Sequence, residues 1–359
     1  MINPNAKLNP KMFDKGVLEA PIRRGFGEGL VVAGERDENV VGLCADLTES
    51  AQMLPFKQKF PGRYIEVGVA EQNLAGVASG MAAMGKIPFI ASYAMFSPGR
   101  NWEHIRTTIC YNNQPVKIVG SHAGVSVGPD GGTHQAIEDI ALTRVLPRMV
   151  VISPCDAIEA KKATIAAAKT NTPVYIRLAR EKTPIMTTED AGAGSASGTK
   201  DGADRGTNHG NGQISGTPFE IGKAAVFFQP IAGKADVGII ATGALLYKAL
   251  KVANDLEKEK IGVTVINLST IKPLDERAIV RLAQEAGAIV TVEEHQIAGG
   301  MGSAVAECLA KFAPVPIEFI GVKDQFGQSG TPEELIEHYG MGESHIRAAV
   351  KKVLARKRR

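Results

Sequence analysis

Tyr64-Ile65-Glu66-Val67-Gly68-Val69-Ala70-Glu71-Gln72-Asn73-Leu74-Ala75-Gly76 reads as the end of a strand, a turn and the opening of a helix. Glu71 stands at the mouth of that helix, whose Ala, Gly, Ser and Met residues are small enough for close packing on another chain. By itself a carboxylate there needs no explanation beyond favourable interaction with a helix N-terminus, about 0.3–1 kcal/mol. Outward from this unit the same alternation recurs. Strands are expected at Val40–Cys44, Tyr64–Val67, Ile87–Ser92, Val116–Gly120, Met149–Ile152 and Val174–Leu178. Helices are expected at Gln72–Met84, Trp102–Asn112, Gln135–Leu146 and Ala157–Lys169. Short apolar runs alternating with segments of helical period are the pattern of crossover units on a parallel sheet.

The chain has 359 residues, 44% hydrophobic and 22% charged, with a net charge of +3. That length suits two domains, and that balance suits a globular protein with no demand for a polyanionic partner. The basic run Lys351, Lys352, Arg356, Lys357, Arg358 and Arg359 reads as the end of a helix, where cations suit the dipole, rather than as a nucleic-acid surface. From Thr187 to Thr217 large apolar residues almost vanish, so residues 187–217 are expected to be a flexible linker between a first domain, 1–186, and a second, 218–359. In the second, strands are expected at Val237–Thr242, Val263–Leu268, Ile289–Glu293 and Ile317–Ile320. Helices are expected near Leu245–Leu256, Asp275–Ala286, Gly302–Lys311 and Ser344–Leu354, with Ser344 as N-cap of the last. The fold class is therefore α/β, two domains each with a mostly parallel sheet flanked by helices. Cys44, Cys110, Cys155 and Cys308 are widely spaced and form neither a zinc nor a redox motif. No stretch approaches the roughly 20 uninterrupted apolar residues of a membrane span, and a cytoplasmic location is expected.

Two further segments and two separate arginines carry chemistry-bearing side chains. Phe89-Ile90-Ala91-Ser92-Tyr93-Ala94-Met95-Phe96 leaves a strand with aromatics three apart, a spacing that suits core packing or the grip of a flat heterocycle. Ser121-His122-Ala123-Gly124-Val125-Ser126-Val127-Gly128-Pro129-Asp130-Gly131-Gly132-Thr133-His134-Gln135 sets His122, Asp130 and His134 in a Gly-rich loop at a strand's end, where open α/β sheets place ligands. The spacing fits no zinc pattern. Arg180 follows the strand Val174–Leu178, and Arg23 lies in the first helix; alone, each reads as an ordinary solvated arginine.

Gly-Val-Ala-Glu-Gln-Asn-Leu, residues 68–74, closely resembles the signature of the pyrimidine-binding domain of thiamine-diphosphate enzymes, and the 121–135 loop is similar to the substrate loop of transketolases. The resemblance covers nearly the whole chain. It implies that Glu71 meets N1′ of the cofactor's aminopyrimidine, where a carboxylic acid drives the tautomer shift that lets the 4′-amino group accept the C2 proton. It implies that Tyr93 and Phe96 stack the pyrimidine, with Asp46 near the cofactor. It also implies that His122, Asp130 and His134 touch the sugar, His122 and His134 steering protons, while Arg180, Arg23 and Ser50 contact its phosphate. Departures stand at Gly99, where the family has a further aromatic, and at Ala123 and Pro129, where it has Asp and Glu. Val292-Glu293-Glu294-His295-Gln296-Ile297-Ala298-Gly299-Gly300-Met301-Gly302-Ser303 looks like the C-terminal domain of the same superfamily, with a structural and interfacial role.

Enzymes of this kind hold the cofactor diphosphate through Mg²⁺ on a Gly-Asp-Gly motif and a downstream Asn, hard oxygen ligands of the sort Mg²⁺ prefers. No Gly-Asp-Gly occurs in this sequence. The expectation is a C-terminal section of a split transketolase, in which an N-terminal-section partner holds Mg²⁺ in an α2β2 assembly and the substrates are sugar phosphates. Other readings within the fold are a deoxyxylulose-phosphate synthase fragment or a 2-oxo-acid dehydrogenase β subunit. His122 argues against the first, and the Asp-Gly-x-Thr-His-Gln stretch, residues 130–135, against the second. A non-catalytic paralogue is the reading from another class.

Overall fold

In the computed structural model, residues 1–190 and 216–357 are described. The first half contains strands β1 (Glu19–Pro21), β2 (Val40–Cys44), β3 (Tyr64–Glu66), β4 (Ile87–Tyr93), β5 (Lys117–Ser121), β6 (Val150–Ile152), β7 (Val174–Arg177) and β8 (Lys182–Pro184). Its helices are α1 (Ile22–Arg36), α2 (Leu54–Lys59), α3 (Glu71–Ala83), α4 (Trp102–His104), α5 (Asp139–Arg144) and α6 (Ala157–Ala168). The second half contributes β9 (Ala225–Phe228), β10 (Val237–Ala241), β11 (Val263–Asn267), β12 (Thr270–Lys272), β13 (Ile289–Gln296) and β14 (Ile317–Val322). Its helices are α7 (Leu246–Lys258), α8 (Glu276–Ala286), α9 (Met301–Phe312), α10 (Pro332–His338) and α11 (Glu343–Lys357).

The larger sheet has the order β12-β6-β7-β5-β4-β2-β3, parallel throughout except for β12. The second has the order β14-β13-β10-β11-β9, parallel except for β9. Strands β2, β5, β7, β10 and β11 are buried at every residue, so apolar residues dominate them without strict alternation, and the charged exceptions Lys117 and Arg177 are buried and hydrogen-bonded. β1 and β8 form a separate antiparallel pair.

Several elements differ from the sequence-based expectation. The helix expected from Gln135 begins only at Asp139, because Gly124 N–H donates to Ala136 O at 2.8 Å and Gln135 Nε2 to Val125 O at 3.0 Å, which ties residues 135 and 136 to the preceding loop. The Trp102–Asn112 helix continues from α4 as a π-helix, Ile105–Tyr111. Ser344 lies inside α11, which opens at Glu343, so it is not the N-cap. Thr270–Lys272, a run too short to register as a strand, crosses from the second half to pair with β6. Residues near the N-terminus pack the other way: Ala6, Leu8 and Met12 join the apolar cluster of β10, β11, α7 and α11.

Most of the expected linker, residues 191–215, lies outside the described residues, as do Arg358 and Arg359 of the basic run. Its flanks meet: Thr217 N–H donates to Thr188 O at 3.2 Å, and Thr188 N–H to Thr217 Oγ1 at 2.9 Å. Among the described residues no helix is long and apolar enough to cross a membrane. All four cysteines are buried with free thiols.

One helix contact positions a site residue. A Cβ on Gly25 would stand 1.7 Å from Ala157 O, and one on Gly29 2.8 Å from Lys161 O, so only glycines let α1 lie directly on α6. That seat aims the first turn of α1, which carries Arg23, at the carboxyl ends of the sheet strands. α6 itself is capped by Asp156, whose Oδ1 accepts from Glu159 N–H at 2.9 Å.

Candidate functional site

Parallel strands leave their ligand-facing loops at the carboxyl ends, and the candidate residues follow that rule. Asp46 and Ser50 follow β2, Glu71 follows β3, Tyr93 closes β4, His122 follows β5 and Arg180 follows β7. Asp46 and His122 both take left-handed backbone, with φ of 59° and 57°. Asp and His are among the side chains that adopt this geometry most readily.

Six of these residues form one cluster. The His122 ring stacks on Tyr93 with centroids 3.9 Å apart, and Tyr93 lies nearly parallel to Phe96 at 6.0 Å. His134 meets Phe96 edge-on at 5.4 Å and Tyr93 at 6.4 Å. Arg23 donates to Arg180 O, and Arg180 Nη1 donates to Val127 O at 2.8 Å. Two guanidinium groups thus converge beside two imidazoles, with Glu181, 3.3 Å from Arg180, as the carboxylate paired to them. Burial, and next the adjacent Arg180, hold Arg23 below the usual guanidinium range. The same field acts on His122. Its pKa is pushed down to about 3, first by burial and then by Arg23, Arg180 and His134. The His122 imidazole is therefore neutral at physiological pH, with Nδ1 bonded to Ser121 Oγ at 2.8 Å and Nε2 left for a ligand. Arg23 Nε is buried with no hydrogen-bond partner among the described residues. A buried donor in a positive field is a ready contact for an anion.

Glu71 is the first residue of α3 and is 1% exposed. Its Oε2 accepts from Arg100 Nη1 at 2.6 Å, and its backbone carbonyl from Asn101 Nδ2 at 3.0 Å. The Arg100 guanidinium in turn lies 4.9 Å from the Phe96 ring centroid, which links Glu71 to the aromatic cluster. Sequence reasoning did not find Arg100 or Asn101. They stand 29 and 30 residues from Glu71 in a loop without periodicity, and only the side-by-side placement of β4 and α3 brings them to it. At Gly99 a Cβ would stand 1.9 Å from Met95 O, so the turn that presents Phe96 leaves no room for a side chain there.

Asp46, Ser50 and Asp130 stand apart: no hydrogen bond or ion pair among the described residues joins their side chains to the cluster. The Asp46 N–H donates to Glu66 Oε1 at 2.7 Å; Glu66 also accepts from Gly68 N–H at 2.9 Å and Tyr64 Oη at 3.0 Å. Ala123 is fully buried among Ala94, Ala136 and Met95, an apolar patch beside His122. Pro129 lies inside the 3-10 segment Val125–Asp130, directly after its kink at Gly128, where φ is 82°. The second half braces this loop. Glu294 Oε1 accepts from Ser126 N–H at 2.6 Å, while Arg177 donates to Asp139 Oδ2 at 2.9 Å and to Glu294 O at 2.7 Å. Among the described residues no group of three or more His, Cys, Asp or Glu side chains is placed to hold a metal ion.

The arrangement offers a planar aromatic seat, a buried carboxylate, a neutral imidazole and an anion pocket at one end of one sheet. Comparisons with known proteins agree in kind. Residues 19–186 match the family described as "Transketolase, pyrimidine binding domain", and residues 229–346 match "Transketolase, C-terminal domain". The "Putative transketolase C-terminal section" of Methanocaldococcus jannaschii is 40% identical, covering 90% of this chain and 93% of that one. A 6-deoxy-6-sulfo-D-fructose transketolase subunit of a Clostridium species is 35% identical over 96% of this chain and 98% of its own. The solved structure described as "Split gene transketolase, inactive beta4 tetramer" superposes with a TM-score of 0.79 at 39% identity, covering 94% of this chain and 99% of that chain.

Proposed function

Because this chain belongs to the transketolase family, we propose that it is the subunit of a thiamine-diphosphate enzyme that carries the pyrimidine and sugar subsites, and that the enzyme moves a two-carbon ketol unit from a ketose phosphate to an aldose phosphate. The observation that carries the reading is the buried Glu71 carboxylate at the N-terminus of α3, linked through Arg100 to the aromatic pair Tyr93 and Phe96. A buried acid beside a flat aromatic seat fits an aminopyrimidine, and Arg23 Nε, which has no partner among the described residues, fits an anion.

When bound, the cofactor supplies the nucleophilic carbon that accepts the two-carbon unit. The chain's residues do the rest. Phe96 and Tyr93 hold the pyrimidine by stacking, and Glu71 holds a proton at N1′. Arg23 and Arg180 fork onto the sugar phosphate and fix the reacting carbonyl's position, as planar guanidinium groups do well. His122, neutral, hydrogen-bonds the sugar's oxygens through Nε2. A phosphate between the two arginines offsets two of the charges that depress His122, which brings its proton affinity closer to the working range just when substrate is present. His134, edge-on to both rings of the aromatic pair, takes the second proton-steering role, and Asp130 and Ser50 are assigned contacts to the sugar and its phosphate.

The diphosphate and Mg²⁺ are assigned to an N-terminal-section partner, in an α2β2 assembly. Support comes from the absence of Gly-Asp-Gly in the sequence and from relatives of matching length that are named as a section or a subunit. The split-gene relative described as inactive is a β4 tetramer, which fits a chain that needs its partner for turnover. Calorimetry with thiamine diphosphate and Mg²⁺ should give tight binding for the two-chain complex and none for this chain alone. Tight stoichiometric binding by the chain alone would refute that division of labour.

A further inference from the structure

Arg100 has no part in the chemistry above, yet it makes the contacts expected of the cofactor ring. Its Nη1 lies 2.6 Å from Glu71 Oε2 and its guanidinium 4.9 Å from the Phe96 centroid. The loop beneath it is clamped to α3 and to itself. Asn101 Nδ2 donates to Glu71 O at 3.0 Å and to Ser97 Oγ at 3.2 Å, and Arg100 N–H donates to Phe96 O at 2.9 Å. The Arg100 side chain, by contrast, is 43% exposed and has open solvent to swing into. A guanidinium is flat, donates N–H groups in its own plane and stacks on aromatic faces. A nitrogen heterocycle held by a carboxylate and a phenyl ring needs the same two contacts.

We propose that Arg100 is a latch on the pyrimidine subsite: in the free chain its guanidinium stands in for the ring between Phe96 and Glu71, and the cofactor seats only as Arg100 swings outward. The inference rests on the reading of Glu71 and Phe96 as cofactor contacts. Its logic is that a carboxylate as buried as Glu71 is costly to leave without a partner, so in the free chain it is held by a cation of the same chain. The latch also acts on affinity, because a cofactor that binds only the open conformer is weakened by the fraction of time the latch is closed.

Calorimetric titration of thiamine diphosphate with Mg²⁺ into the complex of this chain and its partner section reads the competition without reference to turnover. Arg100→Ala should tighten the dissociation constant about three- to sixfold, the strength expected of an ion pair with one solvent-facing member. Arg100→Lys, which keeps the charge but loses the flat face, should fall between. An unchanged or weakened constant in Arg100→Ala overturns the latch. Glu71→Ala and Phe96→Ala in the same titration separate the two readings. If both weaken binding while Arg100→Ala fails to tighten it, only the latch falls; if neither weakens binding, the subsite itself is misplaced and both fall.

Discussion

Glu71→Gln separates a helix-capping carboxylate from a catalytic one by a wide margin. The substitution keeps the shape of the side chain and leaves the Asn101 Nδ2 bond to the backbone carbonyl untouched. What it removes is charge. The ion pair with Arg100 is exposed on the arginine side, so its loss costs about 0.5–1 kcal/mol after solvent screening. The interaction with the α3 N-terminus adds about 0.3–1 kcal/mol. The total, about 1–2 kcal/mol, lowers Tm by only a few degrees in a chain of this size. If Glu71 relays a proton at N1′, the loss in the chemical step is instead of the order of 10²–10⁴-fold. Exchange of the cofactor C2–H for deuterium, followed by NMR in the complex with the partner section, measures that step without a sugar present. Slowing by orders of magnitude with folding and assembly retained is the expected result. Equal exchange rates in wild type and Glu71→Gln would refute the assignment.

Three more expectations follow from the same geometry. Arg180→Ala should lower kcat/KM for phosphorylated sugars about 10- to 100-fold, the worth of hydrogen bonds to a charged group, while hardly affecting the unphosphorylated sugar; parallel losses on both would mean that the arginine only supports the Val127 carbonyl. His122 has a folded-state pKa of about 3 against an ordinary 6.5, so the unfolded chain binds a proton that the folded chain refuses between those values. Its contribution to stability is therefore complete above pH 6.5 and is lost as pH falls toward 3. In urea melts His122→Gln should flatten that acid decline, and an unchanged slope between pH 6.5 and 4 would count against it. Replacing residues 191–215 by a short Gly-Ser bridge should shift Tm by no more than about 2 °C, since the flanks already meet at Thr188 and Thr217 and loop length enters closure entropy only logarithmically. A larger drop would show that the segment contributes to packing.

Parallel-sheet strands were legible where burial on both faces makes them apolar throughout, as in Val40–Cys44 and Val237–Ala241. The site was legible as far as strand ends reveal it: Tyr93, His122 and Arg180 converge because each ends or follows a parallel strand. Contacts made across the fold left no such trace. Nothing in the run around Arg100 marks it as the partner of Glu71, and Gln135–Glu138 carries a helical pattern that two hydrogen bonds with the loop after His122 override, one from Gly124 N–H to Ala136 O and one from the Gln135 side chain to Val125 O. Thr270–Lys272 is too short for any period to show, and its role is set entirely by the exposed flank of β6.

That last strand makes the chain less modular than its two-part pattern suggests. β12 comes from the second half yet closes the open rim of the first sheet, while Ala6, Leu8 and Met12 come from the first half yet seal the second core. Each half thus holds a strap that belongs to the other. A protease nick between residues 191 and 215 should leave the pieces clasped. Either piece made alone would be born with a raw sheet rim or an unlined apolar trough, both invitations to stick to a neighbour.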